Sequence, residues 1–266
     1  MELENSMIYN PQLPGESFYW PGGPVGILLV HGFTATAAEV RPLAEALHQA
    51  GYSIAAPLLP GHYTRPEDLN KVRWEDWVLA VEEMYKRLTK DCQRVVVGGE
   101  STGGVVSLYL AAWYPQIAAL LLYAPALRLT LRPVDKIRLY LAAPFVAYAR
   151  KDYMDSNELW QGYTVNPLKG VIQLLKLQKK VTPLLGKIHQ PTLIVQGRLD
   201  QAVHPEVPDT ICRKIQAGVC EKYWMPDSGH CVLLDKERQE IFGITLRFLD
   251  NALISAKDNV PVQSSV

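Results

Sequence analysis

Residues 95–111 read VVVGGESTGGVVSLYLA, and a serine sits in the middle of four glycines. A serine hydroxyl can attack a carbonyl carbon only if a base takes its proton and the turn that carries it holds it clear of the chain. The pattern Gly99-x-Ser101-x-Gly103 suits such a turn. Val95–Val97 reads as a short buried strand, and the run from Val105 to Tyr114 as a helix that must stop before Pro115. Between strand and helix the chain reverses almost on the spot, which glycine permits through unusual backbone angles and close approach. Ser101 then lies at a helix N-terminus, where free N–H groups and the dipole favour negative charge.

The base and its orienting carboxylate are to be sought after later strands, because open α/β sheets carry their chemistry at the carboxyl ends of the strands. The strand Thr192–Gln196 runs into GRLDQAVHP, which places Asp200 just past a turn glycine. The next strand ends in YWM and leads into PDSGHCVLL, with His230 in the loop. Asp227 is too close in sequence to His230 for an easy approach to its ring. The remaining histidines suit other work. His31 precedes Gly32 and orders its loop, His62 sits in a Pro-Gly turn, and His48 lies on a helix. His189 precedes a Pro-led strand, and His204 belongs to the acid loop. The candidates are therefore Ser101 as nucleophile, His230 as base and Asp200 as the acid that orients it. Negative charge on the carbonyl oxygen needs two N–H donors. One is the backbone N–H of Thr102, directly after the serine. The other is that of Phe33, from the loop in ILLVHGFT after the first long strand.

Strand-like and helix-like segments alternate along the chain, which argues for a mainly parallel sheet with helices on both faces. Strands are expected at Val25–Val30, Ser53–Pro57, Arg94–Gly98, Ala119–Ala124, Thr192–Gln196 and Glu221–Met225, with an edge strand near Phe18–Trp20. Helices are expected at Ala37–Ala50, Trp74–Thr89, Gly103–Tyr114, Glu206–Ile215 and Lys236–Asn251. From Arg128 to Lys187 the alternation stops and no strand is expected. Ile137–Tyr148 is apolar and broken by Pro144, and Leu168–Lys180 has the period of an amphipathic helix. We read this as a helical cap, 128–187, inserted before the penultimate strand into a core made of 1–127 and 188–266. Phe33, Phe145, Trp160, Val203 and Cys231 are candidate substrate-pocket residues. Leu141, Leu174, Leu175 and Leu177 add apolar character that suits an acyl group.

Composition narrows the function classes. The 266 residues are 48% hydrophobic and carry a formal net charge of zero. That is enough for one large core, with no basic footprint for nucleic acid. No stretch is apolar for long enough to span a bilayer, and the start has no signal-peptide pattern. A cytoplasmic location is expected, with Cys92, Cys212, Cys220 and Cys231 as reduced thiols in no metal or redox pattern and a Cys212–Cys220 disulfide as the less favoured alternative. The polar end of the chain, from Ala256 to Val266, is expected to fray.

Taken together, LLVHGFTATAAEVRPLAEAL, GYSIAAPLLPGHYTRPEDL, Trp74-Glu-Asp-Trp77, VVVGGESTGG, PTLIVQGRLDQAVHP and DSGHCVLLDKERQEI resemble α/β-hydrolase carboxylesterases of the bacterial thermostable carboxylesterase and monoacylglycerol lipase family. The resemblance spans most of residues 24–249 apart from much of the cap. It implies the α/β-hydrolase fold and a serine hydrolase acting on carboxylic esters, short-to-medium acyl esters or monoacylglycerols among them. It also implies a small cap over the acyl pocket and no cofactor. The chain departs from the family at Glu100 and Thr102, where relatives often carry apolar residues. Glu100 would either hydrogen-bond behind the nucleophile, shift the histidine's pKa, or act as a helix-start carboxylate. The HGGG loop of hormone-sensitive-lipase-type enzymes is absent. Two rival readings stay open: another triad reaction on this fold, such as carbon–carbon hydrolysis or cofactor-free haloperoxidation, and ligand binding without turnover.

Overall fold

The computed structural model describes residues 7–151 and 157–255, so the C-terminal stretch expected to fray lies outside the described residues. In chain order the elements are β1 (Ile8–Tyr9), β2 (Phe18–Trp20), β3 (Val25–Val30), α1 (Arg41–Gln49), β4 (Ser53–Ala56), α2 (Pro66–Leu69), α3 (Trp74–Asp91), β5 (Arg94–Glu100), α4 (Thr102–Ala111) and β6 (Leu120–Tyr123). There follow α5 (Pro133–Ala142), β7 (Tyr148–Arg150), β8 (Gly162–Tyr163), β9 (Val165–Pro167), α6 (Leu168–Val181), β10 (Thr192–Gly197), α7 (Val207–Lys214), β11 (Cys220–Met225) and α8 (Arg238–Ser255).

Seven strands form the central sheet in the order β11-β10-β6-β5-β3-β4-β2, with β2 antiparallel at one edge and every other pairing parallel. This is the α/β-hydrolase fold. The inner strands are apolar on both faces, and their two-residue period divides the core. Leu28, Val30, Val95, Val97, Leu120, Leu122 and Ile194 pack on one side against α3, α4 and α6. Ile27, Leu29, Val96, Leu121, Leu193 and Val195 pack on the other against α1 and α8. Such strands appear in sequence as continuous apolar runs because helices cover both faces.

Expected and observed elements differ mainly at their ends. The first expected helix divides into a 3-10 turn at Ala37–Val40 and α1, whose start carries Pro42, a residue that lacks the N–H a continuing helix would need. α4 starts one residue earlier and ends earlier than expected. α5 stops at Ala142, just before Pro144. The expectation of a strand-free stretch from 128 to 187 is corrected. β8 pairs antiparallel with β1, and β7 with β9. Strands of two or three residues show no alternation, so their hydrogen-bond partners are visible only once the chain has folded back.

The expectation of reduced thiols is also corrected at one pair. Cys212, on α7, and Cys220, at the start of β11, form a disulfide across a Cα–Cα distance of 5.7 Å, while Cys92 and Cys231 take no part in a disulfide. α7 returns antiparallel to the strand that follows it, and this return brings together two cysteines whose spacing matches no motif. A bridge closing so short a loop stabilises by about 2–3 kcal/mol. Cys212→Ser is therefore expected to lower the melting temperature by about 5–10 °C and leave turnover unchanged. Calorimetry alongside an activity assay checks this, and an unchanged melting temperature would contradict it.

Candidate active site

Ser101 occupies the single residue between β5 and α4, with φ 54° and ψ −113°. No other residue here is free to take the strain, which costs of order 1–3 kcal/mol. Neighbouring strands hold the turn. The Ser101 N–H donates to the Tyr123 carbonyl at 2.9 Å, and its own carbonyl accepts from the Ala126 N–H at 3.0 Å. The glycines serve close approach and leave the unusual angles to the serine. A Cβ on Gly99 would lie 2.3 Å from the Val30 carbonyl oxygen, and one on Gly103 would lie 2.0 Å from the same atom. β5 and α4 thus both rest on the end of β3, from which the loop carrying Phe33 leaves.

His230 comes from the opposite direction. Its loop leaves edge strand β11 and crosses back over the end of β10. A Cβ on Gly197 would lie 2.1 Å from the Gly229 carbonyl oxygen, and the Leu199 N–H donates to Ser228. Three carboxylates fasten the loop. Glu237 accepts from the Asp227 N–H and the Ser228 hydroxyl, Asp235 from the Gly229 N–H, and Glu100 from the Leu233 N–H. Glu100 is fully buried at the end of β5, so the helix-start reading is corrected. Its side chain ties the nucleophile's strand to the histidine's loop. The sequence signal missed here is the run of acids just after His230.

The three chosen side chains meet. His230 Nε2 lies 2.9 Å from Ser101 Oγ, and His230 Nδ1 lies 2.8 Å from Asp200 Oδ2. The Asp200 carboxylate is itself gripped. Gln196 Nε2 donates to Oδ2, and the Ala202 and Val203 N–H groups donate to Oδ1 at 2.8 and 3.0 Å. Burial pushes the Asp200 pKa up. The charge of His230, its hydrogen bond and the two backbone donors outweigh burial and hold the group below its ordinary value. Gln196 went unremarked in the sequence, where an amide closing an apolar strand was its only signal.

The second proposed oxyanion donor is set by its peptide plane. His31 Nδ1 lies 2.8 Å from the Gly32 carbonyl oxygen, and His31 Nε2 accepts the Leu59 N–H at 3.0 Å. Nδ1 is therefore the protonated nitrogen and donates to Gly32. That carbonyl shares a planar trans peptide with the Phe33 N–H, so fixing one fixes the direction of the other. His31 thus orders its loop, as its place before Gly32 suggests. The Phe33 ring packs edge-on to His62 and Trp77.

The other pocket candidates separate. Val203 is buried and serves Asp200 through its backbone. Cys231 follows the histidine, with Sγ 3.9 Å from a Glu39 oxygen, and Trp160 is buried against the same carboxylate. Phe145 is 89% exposed on the turn after α5, and Leu141 is 69% exposed. Neither is placed in a closed pocket, which corrects the expectation for both. The proline that ends α5 turns the chain outward there, and the apolarity of the run did not reveal that. Leu174 and Leu177 are buried in the core beside α4.

Two outcomes follow from this geometry. Gly103→Ala drives a methyl into the Val30 carbonyl and is expected to cost about 3 kcal/mol by urea unfolding, with turnover reduced in whatever protein folds. Burial lowers the His31 pKa from 6.5 to about 4. The folded state therefore disfavours its proton. This contribution is whole above 6.5 and fades as pH falls from 6.5 towards 4, amounting to about 3 kcal/mol. His31→Gln should flatten the pH dependence of unfolding in that window, and an unchanged slope would contradict the assignment.

Comparison with known proteins accords with this fold. The model of the serine aminopeptidase S33 family (Hydrolase_4) matches residues 25–237. A thermostable monoacylglycerol lipase from Bacillus sp. (strain H-257) is 34% identical over 90% of this chain and 96% of its own. A carboxylesterase of Bacillus subtilis (strain 168) is 29% identical over 88% of this chain and 95% of its own. Among solved structures, one from a study of two metagenome-derived lipolytic enzymes, LipS and LipT, superposes with a TM-score of 0.84 at 28% identity, covering 90% of this chain and 99% of that one. The chain belongs to the serine aminopeptidase S33 family and is a serine hydrolase of the α/β-hydrolase fold.

Proposed function

We propose that this protein hydrolyses carboxylic esters with apolar acyl groups, short-to-medium acyl esters and monoacylglycerols among them, through Ser101, His230 and Asp200. The observation that carries the reading is the unbroken chain of hydrogen bonds from Ser101 Oγ through His230 to Asp200, at 2.9 and 2.8 Å. His230 Nε2 takes the hydroxyl proton as Ser101 Oγ attacks the carbonyl carbon. The Phe33 and Thr102 N–H groups hold the oxygen as it gains charge, each worth about 3 kcal/mol of barrier. The C–O bond to the alcohol breaks, and the alcohol leaves with the proton from His230. Water, deprotonated by His230, then attacks the acyl-enzyme and releases the acid. Asp200 keeps the imidazole in the tautomer that presents Nε2 to the serine and stabilises its charged form.

Residues 128–187 act as the cap over the acyl side. Its two long helices differ: α6 buries Leu174, Leu177 and Val181, while α5 buries no residue. We assign α6 to the fixed wall of the acyl side, and α5 to the part that admits substrate.

The test is a p-nitrophenyl ester series from acetate to palmitate, with a monoacylglycerol and an aminoacyl p-nitroanilide beside it, given to wild type and to Ser101→Ala. Ester turnover peaking at one chain length and falling at least about 10⁴-fold in the variant is expected. Preference for the anilide would favour the peptide reaction in the family's description. No ester turnover with Ser101 still labelled by a fluorophosphonate would move the reading to another triad reaction, and no labelling would move it to ligand binding.

A further inference from the structure

The mechanism proposed above leaves the buried carboxylate of Glu39 unused. Glu39 is 2% exposed, on the 3-10 turn directly after the oxyanion loop. One oxygen accepts the Gly32 N–H at 2.5 Å, and the other accepts the Trp160 indole N–H at 3.2 Å. A Cβ on Gly32 would lie 3.1 Å from that first oxygen and 3.2 Å from Ser101 Cβ, so only the loop backbone separates the carboxylate from the nucleophile. Burial raises the Glu39 pKa. The Gly32 hydrogen bond, the charge of His230, the indole N–H and the charge of Lys151 all act against burial. A buried carboxylate costs several kcal/mol unless its hydrogen bonds compensate, and an apolar residue would pack there at less expense.

We propose that Glu39 is a positioning residue that ties the oxyanion loop to the Trp160 segment of the cap, and that ester turnover depends on this tie. The inference rests on the reading of the Phe33 N–H as an oxyanion donor. Glu39 holds the Gly32 N–H, and His31 holds the Gly32 carbonyl. Both peptide planes that flank Gly32 are therefore fixed, and the second of them carries the Phe33 N–H. The cap segment meets the same loop at further points. Lys151 Nζ donates to the Thr34 hydroxyl at 2.6 Å and lies 4.4 Å from the Trp160 ring centre. The Thr36 hydroxyl donates to the Gln161 amide oxygen at 2.7 Å, and the Tyr163 N–H donates to the Thr34 carbonyl at 2.9 Å. Thr34 has a φ of 64°, an angle a β-branched residue holds only when its neighbours impose it. Among these contacts, Glu39 alone joins the cap to a peptide next to the oxyanion donor through a single side chain.

Glu39→Gln tests the tie with little change of shape. A carboxamide has one acceptor oxygen, so its NH₂ must face either the Gly32 N–H or the indole N–H. Trp160→Phe removes the indole N–H and keeps an aromatic ring. For each variant and for both together, kcat and KM on p-nitrophenyl butyrate, affinity for an alkyl boronic acid, and the melting temperature are measured. The boronate adduct on Ser101 mimics the tetrahedral oxyanion. Glu39→Gln is expected to lower kcat by about ten- to a hundred-fold, with KM within about two-fold and boronate affinity falling in parallel with kcat. Trp160→Phe should move the same two quantities by less, and the double variant should be no worse than Glu39→Gln, because both act through one tie. A folded Glu39→Gln protein with wild-type kcat and boronate affinity would overturn the inference, as would an effect on KM alone. If Glu39→Gln does not fold, unchanged kcat in Trp160→Phe overturns it. Wild type without ester turnover or boronate binding would overturn the ester reading and this inference together. An active wild type beside an unaffected Glu39→Gln would overturn the tie alone.

Discussion

An imidazole held at both nitrogens is the interaction on which this molecule is organised. His230 reaches Ser101 on one side and Asp200 on the other, at 2.9 and 2.8 Å. The two bonds have opposite requirements. Nε2 must be free to take a proton, so Nδ1 must carry one, and Asp200 has to remain ionised to receive it. The carboxylate therefore needs donors to offset the cost of its burial. Gln196 and the N–H groups of Ala202 and Val203 supply them.

The three side chains come from different strands, so the sheet sets the distances. β5, β6, β10 and β11 lie side by side, and the loop after the edge strand must travel back across β10 to bring His230 to the serine. That crossing leaves room for backbone alone at Gly197. Acids pin the loop where it lands, including Glu100 from the strand that carries the nucleophile. On the other flank, the same tightness appears where Gly99 and Gly103 press against the end of β3. Tight packing around the serine fixes its backbone, so that its hydroxyl is left to its hydrogen bond with His230 Nε2.

The three side chains that meet, Ser101, His230 and Asp200, were all legible before the fold was known, and so was the α/β architecture. The reason is local: a Gly-flanked serine between a β-branched run and a helix, and loops that follow apolar strands, are patterns written in neighbouring residues. His31 was legible as a loop organiser for the same reason. Glu39, Gln196, Asp235 and Glu237 were not, because an acid or amide looks alike on a wet surface and in a buried cradle. Phe145 and Leu141 were misjudged from hydrophobicity, which records that a residue prefers burial but not whether its helix finds a partner.

The sequence by itself determined the order of the central-sheet strands and of the long helices that cover them, through the period of its apolar residues and the placement of glycine and proline. It also determined which residue types would stand at the strand ends. Tertiary structure alone decided that Cys212 and Cys220 come within bonding reach, that β8 pairs with β1, and that Glu39 faces Gly32 and Trp160 rather than solvent. These features depend on contacts between residues far apart in the chain or on the direction a side chain takes after packing. Hydrophobic periodicity carries information about one element's face, and none about which distant backbone will lie against it.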